Sequence, residues 1–176
     1  MSNRNLLLMY ASLNITTYLA DGFKKVCDVV DDGDGGWRYA NIDDSLMFDP
    51  HDSWVYFIVD AVTIKKCGES GNPLGIRGTQ SGKTDHPVTG TESRLGRYMR
   101  MKDNTDGRIR KELFEQVSKG DVSIWALKCP IIELPFLVGG KLSKTKYACH
   151  KDLERRYLDS IKAETGSYPE LNFGRC

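Results

Sequence analysis

Several features that would assign a function at once are missing from this chain of 176 residues. No apolar run approaches the roughly 18 residues that a membrane helix needs, and the longest, around residues 54–59, has the length of a strand. The first nine residues lack a full apolar region and a small-residue cleavage site, so they do not predict a signal peptide. The five cysteines are widely spaced without a CxxC pair, which argues against a disulfide scaffold and a zinc knuckle. We therefore expect a cytoplasmic protein.

Catalytic and nucleotide-binding signatures are also absent. The three histidines are scattered and there is no GxSxG motif, which disfavours a serine hydrolase. The segment Gly78–Thr84 looks like a phosphate-binding loop, but it has three residues between its glycines where the motif needs four. No strand precedes it and no helical pattern begins at Lys83, so nucleotide hydrolysis is excluded. Without a cofactor fingerprint, an enzyme acting on small molecules is disfavoured.

The net charge of +1, from 25 basic and 24 acidic residues, hides an uneven distribution. Residues 1–60 hold 4 Lys or Arg and 10 Asp, a net charge of −6. Residues 77–111 hold 9 basic and 4 acidic residues (+5), and residues 141–156 hold 6 and 2 (+4). Two basic segments could form one positive face suited to a phosphate backbone. The alternative is that the charges cover separate surfaces, because DNA-binding domains are usually more basic overall.

The hydrophobic pattern predicts an α+β fold. Residues 54–59 and 62–67 are rich in β-branched and aromatic side chains and predict a hairpin, and Val122–Lys128 predicts a third strand. Three segments have apolar residues at helical spacing: 14–30, 106–119 and 151–164. This order favours a small, mostly antiparallel three-stranded sheet flanked by helices. We assign it to a domain of residues 51–176, preceded by an N-terminal extension of residues 1–50 that packs on the core and contains the first helix.

Five short motifs follow one another in a characteristic order. Trp54-Val55-Tyr56 lies in the predicted hairpin, Lys66-Cys67-Gly68 follows ten residues later, and Arg77 comes next. Glu154 lies on the last predicted helix, and Pro169-Glu170-Leu171-Asn172 comes after it. Together these motifs resemble the GIY-YIG nuclease superfamily over about residues 54–172. The spacing, and a lysine in place of the second tyrosine, are most similar to the small GIY-YIG type II restriction enzymes.

The resemblance implies a metal-dependent endonuclease that acts on double-stranded DNA. Val55-Tyr56 matches the end of GIY, Lys66-Cys67-Gly68 stands in the place of YIG, and the tail matches PxLN. It implies that Tyr56 is the base, that Lys66 and Arg77 contact the phosphate, and that Glu154 holds one Mg or Mn ion. Asn172 would orient a metal-bound water or support the fold. The residues expected to grip DNA are Arg94, Arg97, Arg100, Lys102 and Arg108.

The chemistry of these side chains leaves structural alternatives open. A phenol acts as a base near neutral pH only beside a cation, and a three-residue turn would place Lys66 directly opposite Tyr56. A two-residue turn would place Lys65 there instead. Otherwise Tyr56 is a core aromatic residue. Glu154 shares a helical face with apolar residues, so it needs either a cation or a partner such as Arg155.

Two rival functions remain. The first is a DNA-binding module that kept the fold without cutting, since the first motif reads WVY and the second tyrosine is Lys66. The second is a low-specificity phage or repair nuclease of the same type. A restriction enzyme that reads a palindrome would be expected to form a homodimer, so that each subunit meets one strand.

Overall fold

The structure is a computed structural model that describes residues 13–76, 93–100, 104–117 and 121–172. The strands are β1 (Lys24–Asp31), β2 (Trp37–Ala40), β3 (Trp54–Asp60), β4 (Thr63–Ser70), β5 (Val122–Lys128), β6 (Ile131–Val138) and β7 (Lys141–Ala148). The helices are a 3₁₀ helix (Ile15–Asp21), α1 (Asp44–Met47), α2 (Arg94–Arg100), α3 (Asn104–Val117) and α4 (His150–Thr165). Within these ranges no helix has the length and hydropathy that a membrane span requires.

The main sheet has five antiparallel strands in the order β2-β1-β5-β3-β4. The predicted α+β class with an antiparallel sheet is confirmed, and the predicted hairpin and third strand are β3, β4 and β5. The sheet has five strands rather than the predicted three, because residues 24–40 also join it. Strands β6 and β7 form a separate two-stranded ribbon.

The predicted helix over residues 14–30 is wrong. Only Ile15–Asp21 is helical, as a 3₁₀ helix, and the chain then enters β1. A β-bulge between Lys25 and Cys27 interrupts the pairing of β1 with β5. The consecutive residues Val26 and Cys27 are both buried as a result, which breaks the alternation of a strand and imitates helical spacing. Residues before position 50 therefore supply two of the five strands.

The other two predicted helices are confirmed with small shifts. The helix predicted over 106–119 is α3, and the one predicted over 151–164 is α4. Gly166 ends α4 with a positive φ of 81°, and its N–H donates to the carbonyl of Lys162 at 2.8 Å. Such a left-handed glycine satisfies a carbonyl of the last turn and stops the helix.

Both faces of the main sheet are covered where β3 and β4 lie. Tyr56 and Ile58 face α2 and α3 and pack in one apolar cluster with Leu95, Tyr98, Ile109 and Leu113. Val55 and Phe57 face the other way and pack with Leu158 and Ile161 of α4. All six residues of 54–59 are fully buried, as expected for a continuous apolar strand with both faces covered.

Candidate active site

Tyr56 and Lys66 lie on the same face of the sheet, but they are not direct partners. The β3–β4 turn has two residues and a bulge follows between Ile58 and Val59, so Tyr56 pairs with Gly68 and Ile58 pairs with Lys66. Both registers considered from the sequence, with Lys66 or Lys65 directly opposite Tyr56, are therefore wrong. Lys66 is the diagonal neighbour of Tyr56, a distance that a long side chain can span.

Gly68 is required by its position under the Tyr56 ring. A Cβ atom added at Gly68 would overlap the phenol of Tyr56, so any side chain there would displace the ring. A glycine inside a strand marks such a close approach. The glycine of the Lys66-Cys67-Gly68 motif therefore has a direct physical reason.

The hydroxyl of Tyr56 contacts two side chains of α2. It forms a hydrogen bond with the hydroxyl of Tyr98 and accepts another from Arg94 Nε at 3.0 Å. The Arg94 guanidinium also lies 5.3 Å from the ring centroid of Tyr98, within the range of a cation–π contact. Arg94 and Tyr98 share one helix face because they are four residues apart. The cation that touches Tyr56 is thus Arg94, where the sequence predicted Lys66.

Asp106 of α3 joins this cluster and holds two arginines. Its carboxylate lies 3.7 Å from Arg94 Nη1 and 3.4 Å from Arg97 Nε. Asp106 is buried. The Arg97 Nε atom is within ion-pair distance of it but forms no hydrogen bond within the described part of the chain. Two guanidinium groups share one carboxylate, and Lys66 adds a further amino group nearby. The cluster therefore suits an anionic ligand.

Burial changes the acid–base behaviour of the site. Burial raises the pKa of Tyr56, while the charge of Arg94 and the hydrogen bonds from Tyr98 and Arg94 oppose the rise. The net direction is upward, whereas a base near neutral pH needs a lowered pKa. Burial, followed by the charge of Arg94, lowers the pKa of Lys66 to about 8, against the opposing effects of Cys67, Glu154 and Asp106. Lys66 therefore exchanges its proton close to neutral pH.

Glu154 approaches this region from α4, around the outer edge of β4. Its backbone carbonyl accepts a weak hydrogen bond from Cys67 Sγ at 3.9 Å, and its side chain is half-buried. Its carboxylate is close enough to Lys66 to raise the pKa of that amine. Within the described ranges, no three His, Cys, Asp or Glu side chains come together as a metal site.

Asn172 is tied to the backbone of β4. Its Oδ1 accepts from the Cys67 N–H at 2.9 Å, and its Nδ2 donates to the Cys67 carbonyl at 2.6 Å. The adjacent Leu171 N–H donates to the Lys65 carbonyl at 2.8 Å. Of the two roles considered for Asn172, the contacts are those of structural support.

The remaining predicted residues are spread more widely. Arg94 and Arg97, predicted to grip DNA, point into the cluster around Asp106, whereas Arg108 is exposed on α3. Arg77, Lys102 and the side chain of Arg100 lie outside the residues that the structure describes.

Sequence reasoning missed Tyr98 and Asp106. The sequence did contain a signal for Tyr98, because it follows Arg94 by four residues and would share its helix face. The basic charge of this segment predicted only contact with DNA. Nothing in the sequence marked Asp106 as the carboxylate that both arginines share.

The chain shares its fold with a known endonuclease. A mutant of bacteriophage T4 EndoII aligns with 91% of this chain and 99% of its own length, at a TM-score of 0.56 and 12% sequence identity. The restriction endonuclease HPY188I, in complex with product DNA, aligns with 92% of this chain and 86% of its own, at a TM-score of 0.47 and 15% identity. No family profile matches the chain, and no curated protein matches it in sequence. At this level of identity the likeness concerns the fold.

Proposed function

We propose that the protein is a divalent-metal-dependent endonuclease of GIY-YIG type that hydrolyses phosphodiester bonds of double-stranded DNA, as a type II restriction enzyme. The observation that carries the proposal is the contact of Arg94 with the buried hydroxyl of Tyr56, beside Lys66. A permanently charged fork, a phenol and an amine of lowered pKa converge on one sheet face. The fold that the chain shares with EndoII supports the same conclusion.

Phosphodiester hydrolysis requires an oriented water and neutralisation of the charge that develops on the phosphate. Arg94 supplies a guanidinium that matches two phosphate oxygens, and Lys66 supplies a second positive charge in its protonated form. Tyr56 orients the attacking water, with its hydroxyl held by Arg94 and Tyr98. To accept the proton of that water, Tyr56 must first be a phenolate, which the transfer converts to the neutral phenol; Arg94 and the Tyr98 hydroxyl stabilise this phenolate against the burial that raises its pKa.

Glu154 is the residue proposed to hold one Mg or Mn ion. Mg²⁺ keeps most of its ligands as water and substrate phosphate, so one protein carboxylate at the rim of the site fits it. The half-buried position of Glu154 and its influence on Lys66 agree with this role. The bound ion would stabilise the charge of the phosphate and of the leaving oxygen.

This proposal gives the phosphate-binding role to Arg94 on geometric grounds. Arg77, to which the sequence motifs gave that role, stays a prediction. Arg97, Arg100, Lys102 and Arg108 are proposed to contact the DNA backbone, and a homodimer would bring one site to each strand of a palindrome.

Incubation of plasmid DNA with Mg²⁺ or Mn²⁺ tests the proposal. Discrete fragments are expected from a restriction enzyme, and a smear would indicate a low-specificity nuclease. An unchanged plasmid that nevertheless shifts on a gel would identify the non-cutting module and overturn the proposal.

The metal role is tested by Glu154→Gln against Glu164→Gln, which removes the same charge from an exposed position of α4. We expect Glu154→Gln to lose cleavage while it still binds DNA without metal, and Glu164→Gln to cut normally. Normal cleavage by Glu154→Gln would show that Glu154 holds no catalytic metal ion.

A further inference from the structure

The β6–β7 ribbon has two chemically different faces. Residues paired across the two strands share a face, and successive pairs alternate between the faces. One face, here called the apolar face, carries Ile132, Leu134, Phe136, Val138 and Tyr147, with Ser143, Thr145 and, at the tip, Lys141. The other, here called the charged face, carries Glu133, Lys144 and Lys146, with Lys144 paired to Glu133 at 3.3 Å. Near the tip it also carries the exposed pair Leu137 and Leu142.

The apolar face is open to solvent. Its five large side chains are between 42% and 58% exposed, although they are contiguous on one side of the ribbon. Together they present on the order of 500 Å² of apolar surface, near the upper end of the largest patch found on a typical monomer. A two-stranded ribbon alone is marginally stable in water, so cover on this face would stabilise it.

We propose that a second copy of this chain covers the apolar face, with the two ribbons stacked about a twofold axis. The face is suited to itself, because Lys141 at the tip is its one charged residue. If the ribbons run in opposite directions, the tip of one copy meets the base of the other, where the Tyr147 hydroxyl donates a hydrogen bond to Asp152. Lys141 of one copy then lies near an opposite charge. Two faces together would bury roughly 1,000 Å², the lower bound for a biological interface.

DNA fits this face less well. A phosphate backbone attracts lysines, and Lys144 and Lys146 both lie on the charged face. DNA in contact with the ribbon would therefore turn toward the charged face and leave the apolar face uncovered. Pairing of two copies also proceeds without DNA, so it does not depend on the nuclease activity proposed above.

Two leucines of β6 provide a matched test. Leu134 lies on the apolar face, and Leu137 lies on the opposite face and is more exposed, at 70%. Sedimentation of the full chain over a wide concentration range should show a dimer for the wild type and for Leu137→Lys. Leu134→Lys should raise the dimer dissociation constant about tenfold or more, because its charge would be buried unpaired. A monomeric wild type, or equal dimerisation by both variants, would overturn the proposal.

A second variant keeps the test decisive if Leu134→Lys fails to fold. Thr145 pairs with Leu134 across the ribbon, and Thr145→Lys places a charge on the same face without removing an apolar side chain. Thermal melting checks that the variant is folded outside the ribbon. Sedimentation should again show loss of the dimer. A variant that stays dimeric contradicts the proposal. Unchanged sedimentation with altered DNA binding would assign the face to DNA instead.

Discussion

The two faces of the β3–β4 hairpin differ in what their buried residues do. Tyr56 and Phe57 are sequence neighbours, both fully buried, and they point in opposite directions. Tyr56 meets the polar side chains of α2, whereas Phe57 stacks on Phe23 with ring centroids 4.3 Å apart and meets Tyr157 edge-on. One apolar segment therefore serves a candidate site on one face and packing on the other. The elements opposite each face, rather than the strand itself, make the difference.

The largest effect on stability should come from the packing face. Phe57→Ala removes a ring that contacts three other aromatic side chains, and it should lower the free energy of unfolding by about 3–5 kcal/mol. Phe57→Leu should recover most of this loss. Denaturant unfolding measures the change, and cleavage per folded molecule should stay close to that of the wild type. A loss below about 1 kcal/mol would mean that this face does not stabilise the fold as described.

The largest effect on activity should come from the other face. Arg94→Ala should slow cleavage about 100-fold to 1,000-fold, by analogy with removal of one oxyanion donor. Arg94→Lys should also be impaired, because an ammonium cannot make the two parallel contacts of a guanidinium. Single-turnover cleavage measures the effect. The control is Arg38→Ala, which removes the same charge from β2 at the far edge of the sheet.

Arg77→Ala separates the geometric assignment from the one based on sequence motifs. If Arg77→Ala abolishes cleavage while Arg94→Ala cuts almost normally, Arg77 holds the phosphate and the geometric assignment is wrong. If the losses are reversed, the position given to Arg77 from the sequence is wrong.

Titration of Lys66 should make the stability of the protein depend on pH. Its pKa falls from 10.5 to about 8 in the native state, equivalent to about 3 kcal/mol. Between these pH values the unfolded chain keeps a proton that the native protein has lost, so stability should rise with pH. Below about pH 8 the Lys66 amine is protonated in both the native and the unfolded state, so the cost of burying its charge no longer changes with pH.

Lys66→Met is the matched variant, because it keeps an unbranched stem and removes the charge. It should be more stable than the wild type at pH 7, and the difference should shrink as the pH rises from about 8 to 10.5. Denaturant unfolding across this window measures it. A difference independent of pH would show that Lys66 titrates normally.

The smallest effect should come from Asn172, which touches neither face of the hairpin but binds its edge. Asn172→Ala removes two hydrogen bonds to Cys67 and should cost about 2 kcal/mol of stability. The metal concentration needed for half-maximal cleavage should not change. A changed metal requirement with unaltered stability would instead favour the role at a metal-bound water.

The strands and helices that have a regular local pattern were predicted from the sequence. The continuous apolar run of β3, the strand β5, and the periodic helices α3 and α4 were all within reach of pattern analysis. The bulge in β1 was not, because two consecutive buried residues imitate a helix. The ribbon β6–β7 was missed although Gly139-Gly140, both with positive φ, form a typical hairpin turn.

The candidate site was predictable where motifs carried it and not where tertiary packing did. Tyr56, Lys66 and Glu154 were named from motifs that resemble a nuclease superfamily, and the structure brings all three to one region. The contact of Arg94 with Tyr56 depends on how α2 packs against the sheet. The pairing of Asp106 with two arginines depends on the angle between α2 and α3. Neither leaves a local pattern in the sequence.

The outer edge of β4 is closed by segments from both ends of the described chain. The Ile64 N–H donates to the carbonyl of Leu13, the Lys65 carbonyl accepts from Leu171, and Cys67 is bound by Asn172. An eight-residue edge strand with free N–H and C=O groups is a template on which other chains add strands and aggregate. These segments therefore protect solubility as well as stability. A chain shortened before Pro169 should associate through β4 and precipitate.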